Sequence, residues 1–456
     1  MDISGQYSTP NNVFTRYGDN VFSNISFPIK LDNQPRLNSI IAIGNPIVDI
    51  LADIDRGSIQ RFNLVWGGTF FANESNMGFY DELESKPQVT YIPGGSIQNT
   101  LRVTSWCLNM EEKNRGKYRI TMLGAIGQDS YKDKILNALQ SAGVKPLLQQ
   151  IPNMSTSRCG VGICNKERCL LPHIKASNCL TNEFINEHEN EIYENDALLI
   201  EGYFLQEKYE LCKHLCTAFK RAKKLVILTL SAVFMVEAHR EKIMEIAQNS
   251  DMIVGNMEEM QAFAEVERET PKNIFTKAHQ KLIPKDRIFI VTDGANGVYI
   301  SKFDYKKGQL DFILQSFPHS IKNEDICDLN GAGDAFLGGF LSQYMKGASL
   351  WDCCKAGNEA AFVIIKSVGC TFPKNKIINF ENNSKNNVLK IWPIKYKIKI
   401  LFYIIFSIIK FLLSIVNFNY YFFNILKILI IKLLINKYMF IHVCVYSPFG
   451  INNLSI

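Results

Sequence analysis

The string Asp328-Leu329-Asn330-Gly331-Ala332-Gly333-Asp334 runs straight into an apolar, helix-patterned stretch, Ala335–Met345. Its two glycines are free to adopt positive φ. Backbone N–H groups at such a turn point outward at the positive end of the helix dipole, which makes an anion hole for charge developing on a transferred phosphoryl group. Asp334, at the start of the same helix, can accept the proton of an attacking hydroxyl. Taken alone, the same residues also describe an ordinary aspartate cap after a glycine-rich turn.

Two further constellations suit a nucleotide. Asn256 and Glu259 lie three positions apart where a helix begins after Asp251–Gly255, so they share one face. They could order water around a magnesium ion bridging phosphates, or simply cap the first turn. Gly294-Ala295-Asn296-Gly297 follows a strand ending in Val291-Thr292 and reads as a nucleotide loop or as a plain turn. No GxxxxGK[ST] motif and no HRD or DFG set is present, which excludes P-loop and protein-kinase chemistry. Gly44 has no following GxGxxG, which leaves no dinucleotide fingerprint.

The acceptor end is read from two other turns. Gly44-Asn45-Pro46-Ile47-Val48-Asp49 follows the first strand, and Asp49, at that strand's far end, could accept hydrogen bonds from a cis diol such as ribose O2′ and O3′. Gly94-Gly95-Ser96-Ile97-Gln98-Asn99 opens a helix. Its glycines allow close backbone approach, and Asn99 offers a directional amide.

The string at 328–334 resembles the DTxGAGD signature of the ribokinase-like (PfkB-type) carbohydrate kinases, with Leu329 in place of the usual Thr. GNPxxD and GGSxQN resemble the nucleoside-phosphorylating branch of that family. So do Gly202-Tyr203-Phe204-Leu205, Leu230–Phe234, Ala356–Ala361 and Gly369-Cys370-Thr371-Phe372-Pro373. The likeness spans residues 40 to 375. It implies a three-layer α/β/α ribokinase-like domain with a small β-rich lid, and transfer of the ATP γ-phosphate to the 5′-hydroxyl of adenosine. It also implies roles. Asp334 takes the proton, Gly331, Ala332 and Gly333 line the anion hole, and Arg168 on the lid clamps the phosphate. Asp49 and Asn99 hold the ribose, Asn45, Gly94, Gly95 and Ser96 also bind the substrate, and Cys159, Leu170, Phe204 and Phe234 line the adenine cleft. Asn256 and Glu259 order Mg2+ through water, and Thr292, Gly294, Asn330 and Asn358 contact ATP. Thr229, where the family carries Asn, and the unmatched stretch Trp66–Asn73 bear on acceptor choice. A sugar or another nucleoside as acceptor, or a non-catalytic nucleoside-binding protein, remain alternatives.

Elements must hold these residues together. Strand patterns at Ile40–Ile43, Arg119–Leu123, Ala197–Ile200, Leu225–Leu230, Met252–Val254 and Arg287–Val291 alternate with helical ones. The helices are expected at Gln98–Met110, Ser130–Ala142, Lys208–Arg221, Phe234–Asn249, Met257–Ala264 and Ala335–Met345. That alternation predicts right-handed βαβ units and a mostly parallel sheet. Gly160–Cys164 and Cys169–Ile174 flank Asn165-Lys166-Glu167 and read as a hairpin outside it.

The 456 residues divide unevenly: residues 1–38 form a polar leader, 39–380 the catalytic domain, and 387–456 an Ile-, Phe-, Lys- and Asn-rich tail. The tail holds eight Lys and no Arg or acid, and removing it leaves 42 Lys and Arg against 44 Asp and Glu. A near-neutral body gives no reason to expect nucleic acid as partner. The tail reads as a membrane anchor, as translated AT-rich sequence, or as a buried extension, so a membrane partner depends on it. None of the twelve cysteines forms a CxxC pair, and Cys212, His214 and Cys216 fit no common zinc spacing. A cytoplasmic monomer acting on a small nucleoside is expected.

Overall fold

In Ser39–Ile43 every residue is buried, as befits a strand covered on both faces. A computed structural model describes residues 34–110, 114–165, 167–306, 308–373 and 389–391. The strands are β1 Ser39–Ile43, β2 Ile47–Asp53, β3 Thr90–Gly94, β4 Arg119–Gly127, β5 Lys145–Ile151, β6 Arg158–Cys164 and β7 Glu167–His173. They continue with β8 Ala197–Ile200, β9 Leu225–Thr229, β10 Met252–Asn256, β11 Arg287–Thr292, β12 Val298–Asp304, β13 Gln309–Ser316 and β14 Leu389–Ile391.

The main sheet has the order β14-β13-β12-β11-β10-β9-β8-β1-β4-β5. β5 through β11 in that order pair in parallel, and β12, β13 and β14 add antiparallel at one edge. Alternate residues feed two cores. Ile41, Ile43 and Leu228 pack with the helices Leu205–Arg221, Arg240–Asn249, Met257–Ala264 and Pro271–Gln280. Ile40, Ala42 and Ile227 face the helices Ser96–Asn109, Ser130–Ser141, Ala332–Met345 and Leu350–Ile364. The result is the expected three-layer α/β/α domain. The expected helix Phe234–Asn249 is two helices, Val233–Ala238 and Arg240–Asn249, broken at His239, which leaves helical geometry at φ −120°, ψ 32°.

The lid is a separate sheet, β3-β2-β6-β7, which includes the expected hairpin. Residues 67–72 run along the free edge of β7: Gly67 N donates to Arg168 O, Phe70 N to Leu170 O and Ala72 N to Pro172 O. The stretch unmatched in the sequence is thus a further extended segment of the lid. Asp49 lies within β2 of the lid, not at the end of β1, because Gly44-Asn45-Pro46 turns the chain out of the main sheet.

Residues 34–38 lie against the domain, with Leu37 N donating to Met345 O. Residues 1–33 and 392–456, with most of the leader and tail expectations, lie outside the described residues; residues 389–391 form β14 beside β13. Among the described residues no helix is long and apolar enough to cross a membrane.

Gly338 and Gly339 let the site helix approach its neighbours. A Cβ on Gly338 would lie 2.7 Å from the Val103 Cβ, and one on Gly339 would lie 2.4 Å from the Ala356 carbonyl oxygen. Replacing Gly339 by Ala is therefore expected to destabilise the fold by about 1–3 kcal/mol, read as a lower urea midpoint with an unchanged slope.

Candidate active site

The carboxyl ends of the parallel strands form the edge at which open α/β sheets bind ligands. Three turns meet there: Gly44-Asn45-Pro46 after β1, Gly94-Gly95 before helix Ser96–Asn109, and Gly331 before helix Ala332–Met345. Gly331 adopts φ +77° and serves as the N-cap. The first amides of a helix lack intrahelical acceptors. Here Ala332 N donates to Leu329 O at 3.2 Å, while among the described residues no protein acceptor takes the amides of Gly333 and Asp334. Gly333 is exposed, and a Cβ built on it meets nothing within 4 Å. The turn therefore presents free donors to open space.

Asp334 stands beside them, half-buried. Ser96 Oγ donates to its Oδ1 at 2.6 Å, and Asn99 Nδ2 donates to its Oδ2 at 3.1 Å. Burial raises its pKa above the ordinary aspartate value, and these two hydrogen bonds partly offset the rise. Ser96, expected at the substrate, and Asn99, expected at the ribose, are thus brought onto Asp334 itself, and each carboxylate oxygen retains a free lone pair.

Asp49 reaches the same space from the lid. It packs on Gly94, where any Cβ would lie 2.1 Å from Asp49 Oδ1. Gly95 adopts φ +85° beside the Asn45 carbonyl. Burial, then the charges of Asp334 and Asp328, raise the Asp49 pKa to about 7, against the opposing pull of Arg168. Arg168, on β7, does not hang free: its Nη2 lies 2.8 Å from Asp328 Oδ2. A cleft of about 380 Å³ opens between Gly67, Gly68, Arg168 and Leu170 of the lid and residues 326–330, including Asn330.

Several expected site residues stand elsewhere. Asn45 is buried, and both its backbone N and its Nδ2 donate to Glu201 Oε2, so it fixes a turn rather than facing a ligand. Phe204 is 1% exposed within the main core and offers no surface to a base. Cys159 is buried in a small lid cluster with Leu51 and Val161, on whose edge Leu170 packs. Asn358 Nδ2 donates to Ser316 Oγ and Phe317 O and so ties helix Leu350–Ile364 to the end of β13. Phe234 is 42% exposed and packs against Phe71 and Tyr203, with ring centroids 6.1 and 6.0 Å away.

At the donor end, Asn256 and Thr292 are register partners on β10 and β11, and Gly294 is exposed in the loop after β11. Asn256 and Glu259 form a capping box: Glu259 Oε2 accepts from Asn256 N, and Oε1 from Asn256 Nδ2. With both oxygens turned onto the cap, the pair suits a hydrated ion held through water and not direct ligation. Among the described residues no group of three His, Cys, Asp or Glu is placed to hold a metal.

Glu201 appears in none of the sequence motifs, and Asp328, Phe71 and Tyr203, though they fall within stretches named above, carry no role there. Glu201 had a signal: it directly follows the apolar run of β8, at a strand's carboxyl end. Its pKa, like that of Glu259, is raised to about 7 chiefly by burial. An acid whose pKa is raised in the fold binds more protons folded than unfolded, so its stabilisation is lost as pH rises from about 4.5 through 7. Unliganded protein is expected to melt at a lower temperature at pH 8 than at pH 6, and Glu201→Gln should shrink that difference in thermal scans.

A carboxylate beside free helix-start amides, with a second carboxylate close to it under a β lid, is the arrangement that suits an ATP-dependent phosphotransferase with an alcohol acceptor on a ribokinase-like fold. The profile of the pfkB family carbohydrate kinases matches residues 60–377, and the chain belongs to that family. It is 29% identical to adenosine kinase 2 of Arabidopsis thaliana over 351 residues, 75% of this chain and 97% of that one. Identity to the adenosine kinase of Dictyostelium discoideum is 28%, covering 74% and 97%. The crystal structure of Anopheles gambiae adenosine kinase in complex with P1,P4-di(adenosine-5) tetraphosphate superposes with a TM-score of 0.65. It shares 27% identity and covers 74% of this chain and 99% of that one.

Proposed function

We propose that this protein transfers the γ-phosphate of ATP to the 5′-hydroxyl of adenosine, giving AMP and ADP, a purine-salvage step. The observation that carries the reading is Asp334, held by Ser96 and Asn99 within reach of the free amides at Gly333. Asp334 accepts the proton of the 5′-hydroxyl as its oxygen attacks phosphorus, and the amides of Gly333 and Asp334 take up charge on the transferred group. Asp49 binds the ribose hydroxyls, and Phe71, Tyr203 and Phe234 offer ring faces to the purine. Thr292, Gly294 and Asn330 lie where the donor would pass. Asn256 and Glu259 would hold Mg2+ through ordered water, and the ion would supply charge neutralisation. Lid closure by β2, β3, β6 and β7 excludes water from the transfer.

The chain acts as a monomer in the cytoplasm; its described cysteines are all free, as a reducing compartment would leave them. The test is a panel of nucleosides and sugars in a coupled ADP-release assay, with the product identified by chromatography. Adenosine is expected to give the highest kcat/KM. Equal turnover of a sugar or of every nucleoside would overturn the acceptor assignment, and tight adenosine binding without turnover would support a binding protein instead.

A further inference from the structure

The ion pair between Arg168 and Asp328 joins the lid to the glycine turn across 160 residues of sequence, and it is nearly dry: the side chains are 14% and 1% exposed. Asp328 also makes bonds that Arg168 does not share. Its Oδ1 accepts from Asn330 N at 2.9 Å, and its Oδ2 from Gly369 N at 2.7 Å. One carboxylate therefore grips three segments: the lid hairpin, the entry to the anion turn, and the Gly369 turn that carries Cys370 against Gly331. Arg168 and Asp328 both line the cleft, so an anion arriving there meets the guanidinium already aimed by its partner.

We infer that Asp328 is a positioning residue: it holds the Arg168 guanidinium over the glycine turn, where the terminal phosphate of the nucleotide then shares or takes over that contact. The physical need is plain. The carboxylates of Asp328 and Asp334 both act on that of Asp49 here, and negative charge gathered at this point repels a triphosphate. A guanidinium presented in a fixed orientation gives a charge-assisted, forked contact without ordering a long side chain at the moment of binding. This inference rests on the phosphotransferase reading, but not on which alcohol is the acceptor.

The test is a double-mutant cycle on nucleotide affinity, run by isothermal titration on the full chain with no acceptor present. Its readout is the ratio of ATP to ADP affinity, which reports contact with the terminal phosphate and is insensitive to a general loss of folded protein. Arg168→Gln is expected to reduce that ratio about 10- to 100-fold, the worth of one charge-assisted hydrogen bond. Asp328→Asn, which keeps an acceptor for one of the two backbone amides, is expected to reduce it about 10-fold or more. The double variant should show no further fall in the ratio than Arg168→Gln alone, since on this inference Asp328 reaches the terminal phosphate through Arg168. Additive losses, or an unchanged ratio in Asp328→Asn, would make Asp328 a structural anchor only and overturn the inference. A wild-type protein with no preference for ATP over ADP would instead overturn the phosphotransferase reading. Thermal scans of all four proteins identify any variant that fails to fold, and should Asp328→Asn be one, Asp328→Glu, which keeps the charge but displaces the carboxylate, takes its place in the cycle.

Discussion

Replacing Asp334 by Asn is expected to lower kcat about 100- to 10,000-fold, the range for loss of a positioned general base, with little change in KM for the acceptor. The reason lies in what surrounds the carboxylate. Ser96 and Asn99 hold it by one hydrogen bond to each oxygen, so it is oriented before any substrate arrives. Burial holds its pKa above that of an ordinary aspartate, which makes it a better proton acceptor once ionised. The sign for pH follows: the base works as the anion, so activity falls as pH drops through that raised pKa. The acid limb of kcat/KM should therefore lie higher than a solvated aspartate would give, and Asp334→Asn should abolish it. Asn keeps the volume and one acceptor oxygen, so the fold is expected to survive, which circular dichroism and thermal melting would check.

Gly333→Ala is expected to melt like the wild type and yet lose about 100-fold or more in kcat/KM, the cost of blocking an anion-hole donor. The structural half of this expectation comes from open space: the added methyl meets no protein atom within 4 Å. The functional half comes from the amides of residues 333 and 334, which have no protein acceptor among the described residues and which a methyl at 333 would crowd. Gly331→Ala makes the contrast. There φ is +77° and the methyl would press on Cys370 at 3.1 Å, so stability and activity should fall together. If Gly333→Ala kept full activity, the turn would be a helix cap and nothing more.

The parallel sheet was legible because its signal is local. Runs such as Ala197–Ile200 and Leu225–Thr229 are apolar on both faces, and their helical partners carry the 3.6-residue period. The anion turn was legible for a similar reason: glycine spacing and the helix start sit within seven residues. Less visible was anything that depends on which distant side chain fills a given volume. Phe204 and Phe234 are alike in the sequence; one is sealed in the core and the other is exposed beside Phe71 and Tyr203, a difference that tertiary packing decides. Asn45 and Asn358 look like ligand-facing amides but spend their donors on Glu201 and on Ser316 and Phe317. Asp49 reads as the far end of the first strand but lies in β2 of the second sheet, because Gly44-Asn45-Pro46 redirects the chain directly after β1. The Arg168–Asp328 pair could not be read from sequence: nothing local specifies a partner 160 residues away.

Lid and core divide the labour in a way that explains these errors. The parallel sheet supplies backbone: strand ends, helix starts and free amides at fixed positions. The lid supplies side chains, Asp49 and Arg168 among them, that are set against those positions only when the second sheet lies over the first. Residues of the first kind are read from spacing, and residues of the second kind only from tertiary structure.

The most direct measurement is a crystal structure of the protein with adenosine and a non-hydrolysable ATP analogue bound. The account predicts the adenosine 5′-oxygen within hydrogen-bond distance of an Asp334 carboxylate oxygen, and the terminal phosphate of the analogue on the backbone amides of Gly333 and Asp334. An adenosine 5′-oxygen turned away from Asp334, or a terminal phosphate bound elsewhere with those amides still facing solvent, would contradict it.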